Sequence, residues 1–249
     1  MRQRGPFRSL VVLGESTVEG GGWLAETAER YADVLWRLLE TAQERPLKYH
    51  NAGLGASVIS PASPGYAASN KPSAAERLAR EVIAHRPDLV VIAYGLNDMR
   101  AGMTVPAFRA ELEKILRRLR RRGRPLIVLA NVYHMSSYRF YPPFDRGSAA
   151  ATRRYNAMLA AVARQRGCVY ADVNVAEGGC DHVVHPDTVH ANKIGNLLIA
   201  HKLFEAIVHA APGMAIAVQR RDARTAWTRG CRTWQRATVE KSTRSKPGK

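Results

Sequence analysis

The chain is poor in cysteine and in acid. Three cysteines among 249 residues, Cys168, Cys180 and Cys231, are odd in number and widely spaced. That excludes a disulfide framework and a zinc ribbon, and fits a reducing compartment. No apolar run approaches the ~18 residues of a membrane span. The N-terminal MRQRGPFRSLVVLGES carries only a short apolar stretch, SLVVL, too short for a signal peptide, so a cytoplasmic location is expected. Neither GxxxxGK[ST] nor GxGxxG occurs, which argues against a P-loop and a dinucleotide fingerprint. No internal repeat is visible. Acidic residues number 21 against 38 Lys and Arg, a formal charge of +17. Of this, +8 falls in residues 219–249 and +9 in residues 1–218.

What is present is a core. Hydrophobic residues make up 46% of the chain, enough to exclude wholesale disorder. Short apolar runs at Ser9–Leu13, Leu47–Asn51, Leu89–Tyr94, Pro125–Val132 and Cys168–Val175 read as strands. Stretches with a period near 3.6 at Trp23–Glu44, Ala74–His85, Val105–Arg122, Ala149–Arg166 and Ala191–His209 read as helices. Strands and helices alternate five times. Such alternation predicts an α/β fold, a five-stranded parallel sheet with helices on both faces, in a three-layer α/β/α sandwich. Sheets of this kind gather chemistry at the carboxyl ends of their strands. Residues 1–218 are expected to form this domain, and residues 219–249 a basic disordered extension. With Trp227 and Trp234 interleaved, that extension could contact an anionic polymer. The Arg117–Arg124 cluster reads as a solvated helix end that complements the helix dipole.

Four strand ends carry residues able to do chemistry. Gly14-Glu15-Ser16 follows the first strand, and glycines at 20, 21 and 22 leave room beyond it. Asn51-Ala52-Gly53-Leu54-Gly55-Ala56 follows the second and offers backbone N–H groups. Gly95-Leu96-Asn97-Asp98 follows the third, with an amide suited to an oxyanion. Asp187-Thr188-Val189-His190 follows the last, at a spacing that lets a carboxylate orient an imidazole. Each element alone reads as a cap or a turn. Together they would lie along one edge of one sheet.

This pattern resembles the SGNH hydrolase superfamily, the GDSL-type esterases and lipases, over about residues 9 to 210. Ser16 and Gly20 match its first block, Gly95, Asn97 and Asp98 its third, and Asp187, His190 and Gly195 its last. Glu15 stands where the family usually has Asp, and Ala191 where Pro usually follows the His. In the second block the familiar Gly, five residues after the Asn, is here Ala56, with Gly55 just before it. The resemblance implies the flavodoxin-like SGNH fold and a serine esterase. Ser16 would be the nucleophile, with Asp187 and His190 completing a triad. The oxyanion donors would be the Ser16 N–H, Gly55 (with Ala56 as the alternative) and Asn97. It implies no cofactor, and a small-molecule ester as substrate, with short acyl groups such as acetyl favoured.

Several readings stay open. A registration through Asp181 and His185-Pro186 has a literal His-Pro but the wrong spacing. Asp181, His182, His185, Asp187 and His190 form a cluster that could bind a metal, though no HExxH supports it. The aromatic stretch Tyr133–Phe144 either walls the site or covers the sheet edge. The same fold could transfer an acyl group, deacetylate a carbohydrate or, in a different class, serve a nucleic-acid or anionic-polymer binder.

Overall fold

A computed structural model describes residues 5–138 and 140–214. The basic extension expected at 219–249 lies outside the described residues.

In chain order the elements are β1 (Ser9–Gly14), α1 (Ser16–Glu19), α2 (Tyr31–Gln43), β2 (Lys48–Gly53), α3 (Tyr66–Ser69), α4 (Ala74–Glu81) and β3 (Leu89–Ala93). There follow α5 (Leu96–Arg100), α6 (Val105–Arg122), β4 (Leu126–Ala130), α7 (Ala149–Arg166), β5 (Val169–Ala171), α8 (Val173–Ala176) and α9 (Lys193–Ala210). The five strands form one parallel sheet in the order β2-β1-β3-β4-β5, as the alternating pattern predicts. The strand order reverses direction between β1 and β3, where open α/β sheets form their crevice. Leu10, Val11, Val12 and Leu13 are fully buried. A continuous apolar run suits a strand covered on both faces.

Helix ends follow their caps. Ser73 and Glu76 make a reciprocal capping box at α4. Thr104 caps α6 and Ser148 caps α7. At the basic end of α6, Glu113 pairs with Arg109 and Arg166, and Arg118 donates to the Ala75 carbonyl.

Three expected boundaries shift for local reasons. The helix expected from Trp23 begins only at Tyr31. Arg30 is drawn to Asp33 and to the Glu19 and Thr27 carbonyls, and Trp23 is engaged elsewhere. The strand expected to run to Val175 stops at Ala171, because the Asp172 carboxylate accepts from Val175 N and starts α8. Cys168 accordingly sits just ahead of β5, half-buried. The second strand runs further than expected, to Gly53, because Asn51, Ala52 and Gly53 register against Val12, Leu13 and Gly14.

Gly53 is where β2 meets α1. A Cβ there would lie 2.1 Å from the Glu19 backbone N and 2.5 Å from its Cα. Backbone cannot yield as a side chain can. Gly53→Ala should destabilise the protein by about 1–3 kcal/mol, read as a lower urea midpoint at unchanged slope.

Candidate active site

Ser16 opens α1 directly beyond β1. As the first residue of the helix, it has an N–H outside the intrahelical ladder. Its Oγ lies 2.8 Å from His190 Nε2. His190 Nδ1 lies 2.8 Å from Asp187 Oδ2. The other Asp187 oxygen accepts from the backbone N–H groups of Val189 and His190, each at 2.9 Å. The short Asp-x-x-His spacing therefore lets one carboxylate organise its own loop and the ring together. The loop is closed by an antiparallel bridge between Val184 and Ala191 and by His185 N donating to the His190 carbonyl. Asn192 then caps α9 and donates to the His182 carbonyl.

The imidazole is held from its face as well. The Trp23 ring stacks on His190 with centroids 3.7 Å apart and planes 6° from parallel. Nothing in the spacing singles out Trp23, because the contact joins residues far apart in the chain.

Asn97 lies in α5, which follows Gly95. Gly95 has φ +130°, a region L side chains rarely adopt. The Asn97 amide donates to the Ser57 carbonyl at 3.0 Å, leaving its second N–H for another acceptor. Glu15 is buried, and its carboxylate accepts from Gly95 N at 3.0 Å and Asn97 N at 3.4 Å. It thus ties the residue before Ser16 to the turn that carries Asn97. Asp98 is fully buried and accepts from Ile59 N.

The second block is arranged differently from the first expectation. Gly55 donates its N–H to Glu19 Oε2 at 2.6 Å, so that donor is committed. Ala56, at φ +59°, lines the cleft with Ser16 and Asn97. The signal for this was the five-residue spacing after Asn51. The cleft has a volume of about 270 Å³ and also takes in Leu96, Arg100, Phe140, Tyr141, Phe144, Asp187, Val189 and His190. In the aromatic stretch after β4, Phe140, Tyr141 and Phe144 wall the cleft, while Tyr133 and Met135 belong to the core.

The competing registration is not formed. Asp181 pairs with His134 at 2.8 Å, whereas His185 Nδ1 lies 3.1 Å from Asp187 Oδ2. Among the described residues, no three His, Cys, Asp or Glu side chains converge as a metal site.

Burial and neighbours set the protonation states. Burial lowers the His190 pKa below its ordinary value, outweighing the bond and charge from Asp187 that favour the imidazolium. For Asp187 partial burial pushes upward, yet the His190 and Val189 N–H groups and the His190 ring hold the carboxyl below its usual range. Burial drives Glu15 well up, reinforced by the charge of Asp98. Burial also raises Asp98, to about 7.

The sequence profile of the GDSL-like Lipase/Acylhydrolase family matches residues 12–198. The chain belongs to this family. As a family member it is a carboxylic ester hydrolase. Comparison with curated proteins gave no match. Solved structures share the fold. A lipase/acylhydrolase from Enterococcus faecalis superposes with a TM-score of 0.64 at 21% identity, over 80% of this chain and 95% of that one. A catalytic mutant of an acetylxylan esterase from Geobacillus stearothermophilus gives 0.61 at 16% identity, over 82% and 96%. TesA gives 0.63 at 17% identity, over 80% and 98%. Among the described residues, no helix is long and apolar enough to cross a membrane.

Activity that needs a neutral His190 should fall as pH drops. Because its pKa is depressed, the acid limb of kcat/KM should have its midpoint below the ordinary imidazole value of about 6.5. A pH–rate profile with a neutral ester checks this.

Proposed function

We propose that this esterase cleaves short-chain esters through an acyl-enzyme on Ser16. The carrying observation is the unbroken run from Ser16 Oγ through His190 to Asp187, with both links at 2.8 Å, opening into one small cleft. Ser16 Oγ bonds to the ester carbonyl carbon while its proton passes to His190 Nε2. The tetrahedral intermediate collapses, the bond to the alcohol oxygen breaks, and His190 returns the proton to that oxygen. Water then attacks the acyl-enzyme, again giving a proton to His190. The acid leaves and Ser16 Oγ regains its proton. Asp187 holds the Nδ1–H tautomer and stabilises the imidazolium, while Trp23 keeps the ring plane.

The oxyanion accepts from the Ser16 N–H, the free Asn97 amide N–H and the Ala56 N–H. We assign Ala56 in place of Gly55, whose N–H already serves Glu19. The cleft volume of about 270 Å³ supports small acyl groups, since sites for larger ligands run to roughly 300–1,000 Å³.

Ser16→Ala should abolish hydrolysis of p-nitrophenyl acetate without changing the circular dichroism spectrum. Retained turnover would show that another group is the nucleophile. Asn97→Ala, which removes one oxyanion donor, should lower kcat by about 10²–10³-fold. A p-nitrophenyl ester series from acetate to palmitate should show kcat/KM falling with chain length, and a maximum at palmitate would contradict the short-acyl reading.

A further inference from the structure

Among the described residues, Arg100 makes no direct ion pair, although the charges of Glu15 and Asp187 lie close enough to act on it. It is 2% exposed, and its Nε and Nη2 are buried without a hydrogen-bond partner. Burying a guanidinium unpaired is costly, and native proteins almost always pair such a group. Burial presses its pKa below the ordinary arginine value, outweighing the attraction of Tyr133, Glu15, Tyr141 and Asp187. The side chain nevertheless lines the same cleft as Ser16, Asn97 and His190. It lies three residues after Asn97 in α5, a spacing that puts both on one face of the helix. Its one described partner is the Phe140 ring, 3.8 Å from the guanidinium carbon. Phe140 is 43% exposed, so its ring has solvent to turn into.

We infer that Arg100 selects substrates bearing a small oxyanion group, a carboxylate or a phosphate, close to the scissile ester. This rests on the esterase reading of the site and narrows it. With the ester oxygen held at Asn97, a substituent a few bonds along the acyl chain reaches the guanidinium. The planar fork then takes two anion oxygens on Nε and Nη2. Phe140 swings aside or stacks on the ion pair. The anion completes the arginine's missing hydrogen bonds in a place screened from water, where such a pair discriminates strongly against a neutral analogue. A short dicarboxylic half-ester fits both this chemistry and the small cleft.

The test compares kcat/KM for mono-p-nitrophenyl succinate with that for p-nitrophenyl butyrate, in the full chain and in Arg100→Gln, Arg100→Met and Arg100→Lys. The full chain should prefer the succinate ester. Arg100→Gln and Arg100→Met should lower the succinate-to-butyrate ratio by about 10–100-fold, with Arg100→Lys retaining part of it. Thermal unfolding of Arg100→Met without ligand should show little loss of stability, because the Nε and Nη2 atoms satisfy no acceptor in the fold; a marked loss would assign it a structural role instead. Free succinate and inorganic phosphate, each tested as an inhibitor of butyrate hydrolysis, separate the two anions, and inhibition by either should weaken in Arg100→Gln. Butyrate turnover with no preference for succinate, and a ratio unmoved by the Arg100 substitutions, would overturn the inference while leaving the esterase reading intact. Turnover of neither ester would overturn both.

Discussion

A single buried carboxylate holds the two halves of the site in relation to each other. Glu15 sits between the end of β1 and the turn after β3 and accepts the N–H groups of Gly95 and Asn97. Ser16 is its neighbour in sequence, and Asn97 is one of its backbone donors in space. Their separation is therefore governed by one side chain and the pairing of β1 with β3. Burial works against the charge on that carboxylate, and Asp98 nearby works in the same direction. The two backbone donors offset part of this. The residue that usually stands here in the family is one methylene shorter; in this chain the longer Glu15 makes the contact to Gly95 N and Asn97 N.

Around this brace the cleft combines opposing electrostatic demands. In the proposed mechanism His190 is neutral at rest and becomes cationic during turnover. Burial keeps it neutral, Asp187 favours its charged form, and Arg100 adds a disfavouring positive charge. The stacked Trp23 offers a π face to whichever form is present. An anion bound at Arg100 would cancel the repulsive charge, so substrate recognition and base strength share the same few side chains. On that inference, Arg100 would link the specificity of the cleft to its acid–base chemistry.

Much of the scaffold was legible because each strand is an uninterrupted apolar run and each long helix has a regular apolar stripe. The runs Ser9–Leu13 and Leu89–Tyr94 read as strands from buried-type periodicity and match β1 and β3 to within one residue, and Asp187 with His190 follows from a local spacing. The failures are equally local. Helix α2 starts late because Trp23 stacks on His190 and Arg30 reaches back to the Glu19 and Thr27 carbonyls as well as forward to Asp33. Strand β5 is short because Asp172 caps the next helix. The choice between Gly55 and Ala56 is of another kind: Ala56 has the positive φ and lines the cleft, while the Gly55 N–H is donated to Glu19.

By itself the sequence determined the alternation of elements, hence the parallel sheet, and which strand ends carry a hydroxyl, an amide and a carboxylate–imidazole pair. Periodicity and short-range spacing are properties of a chain read in one dimension. Only the tertiary structure decided that the Gly55 N–H is spent on Glu19, that Trp23 lies against His190, and that Arg100 is enclosed with its Nε and Nη2 unbonded. Those outcomes depend on contacts between segments dozens of residues apart, where the geometry of burial rather than the order of residues sets which groups meet.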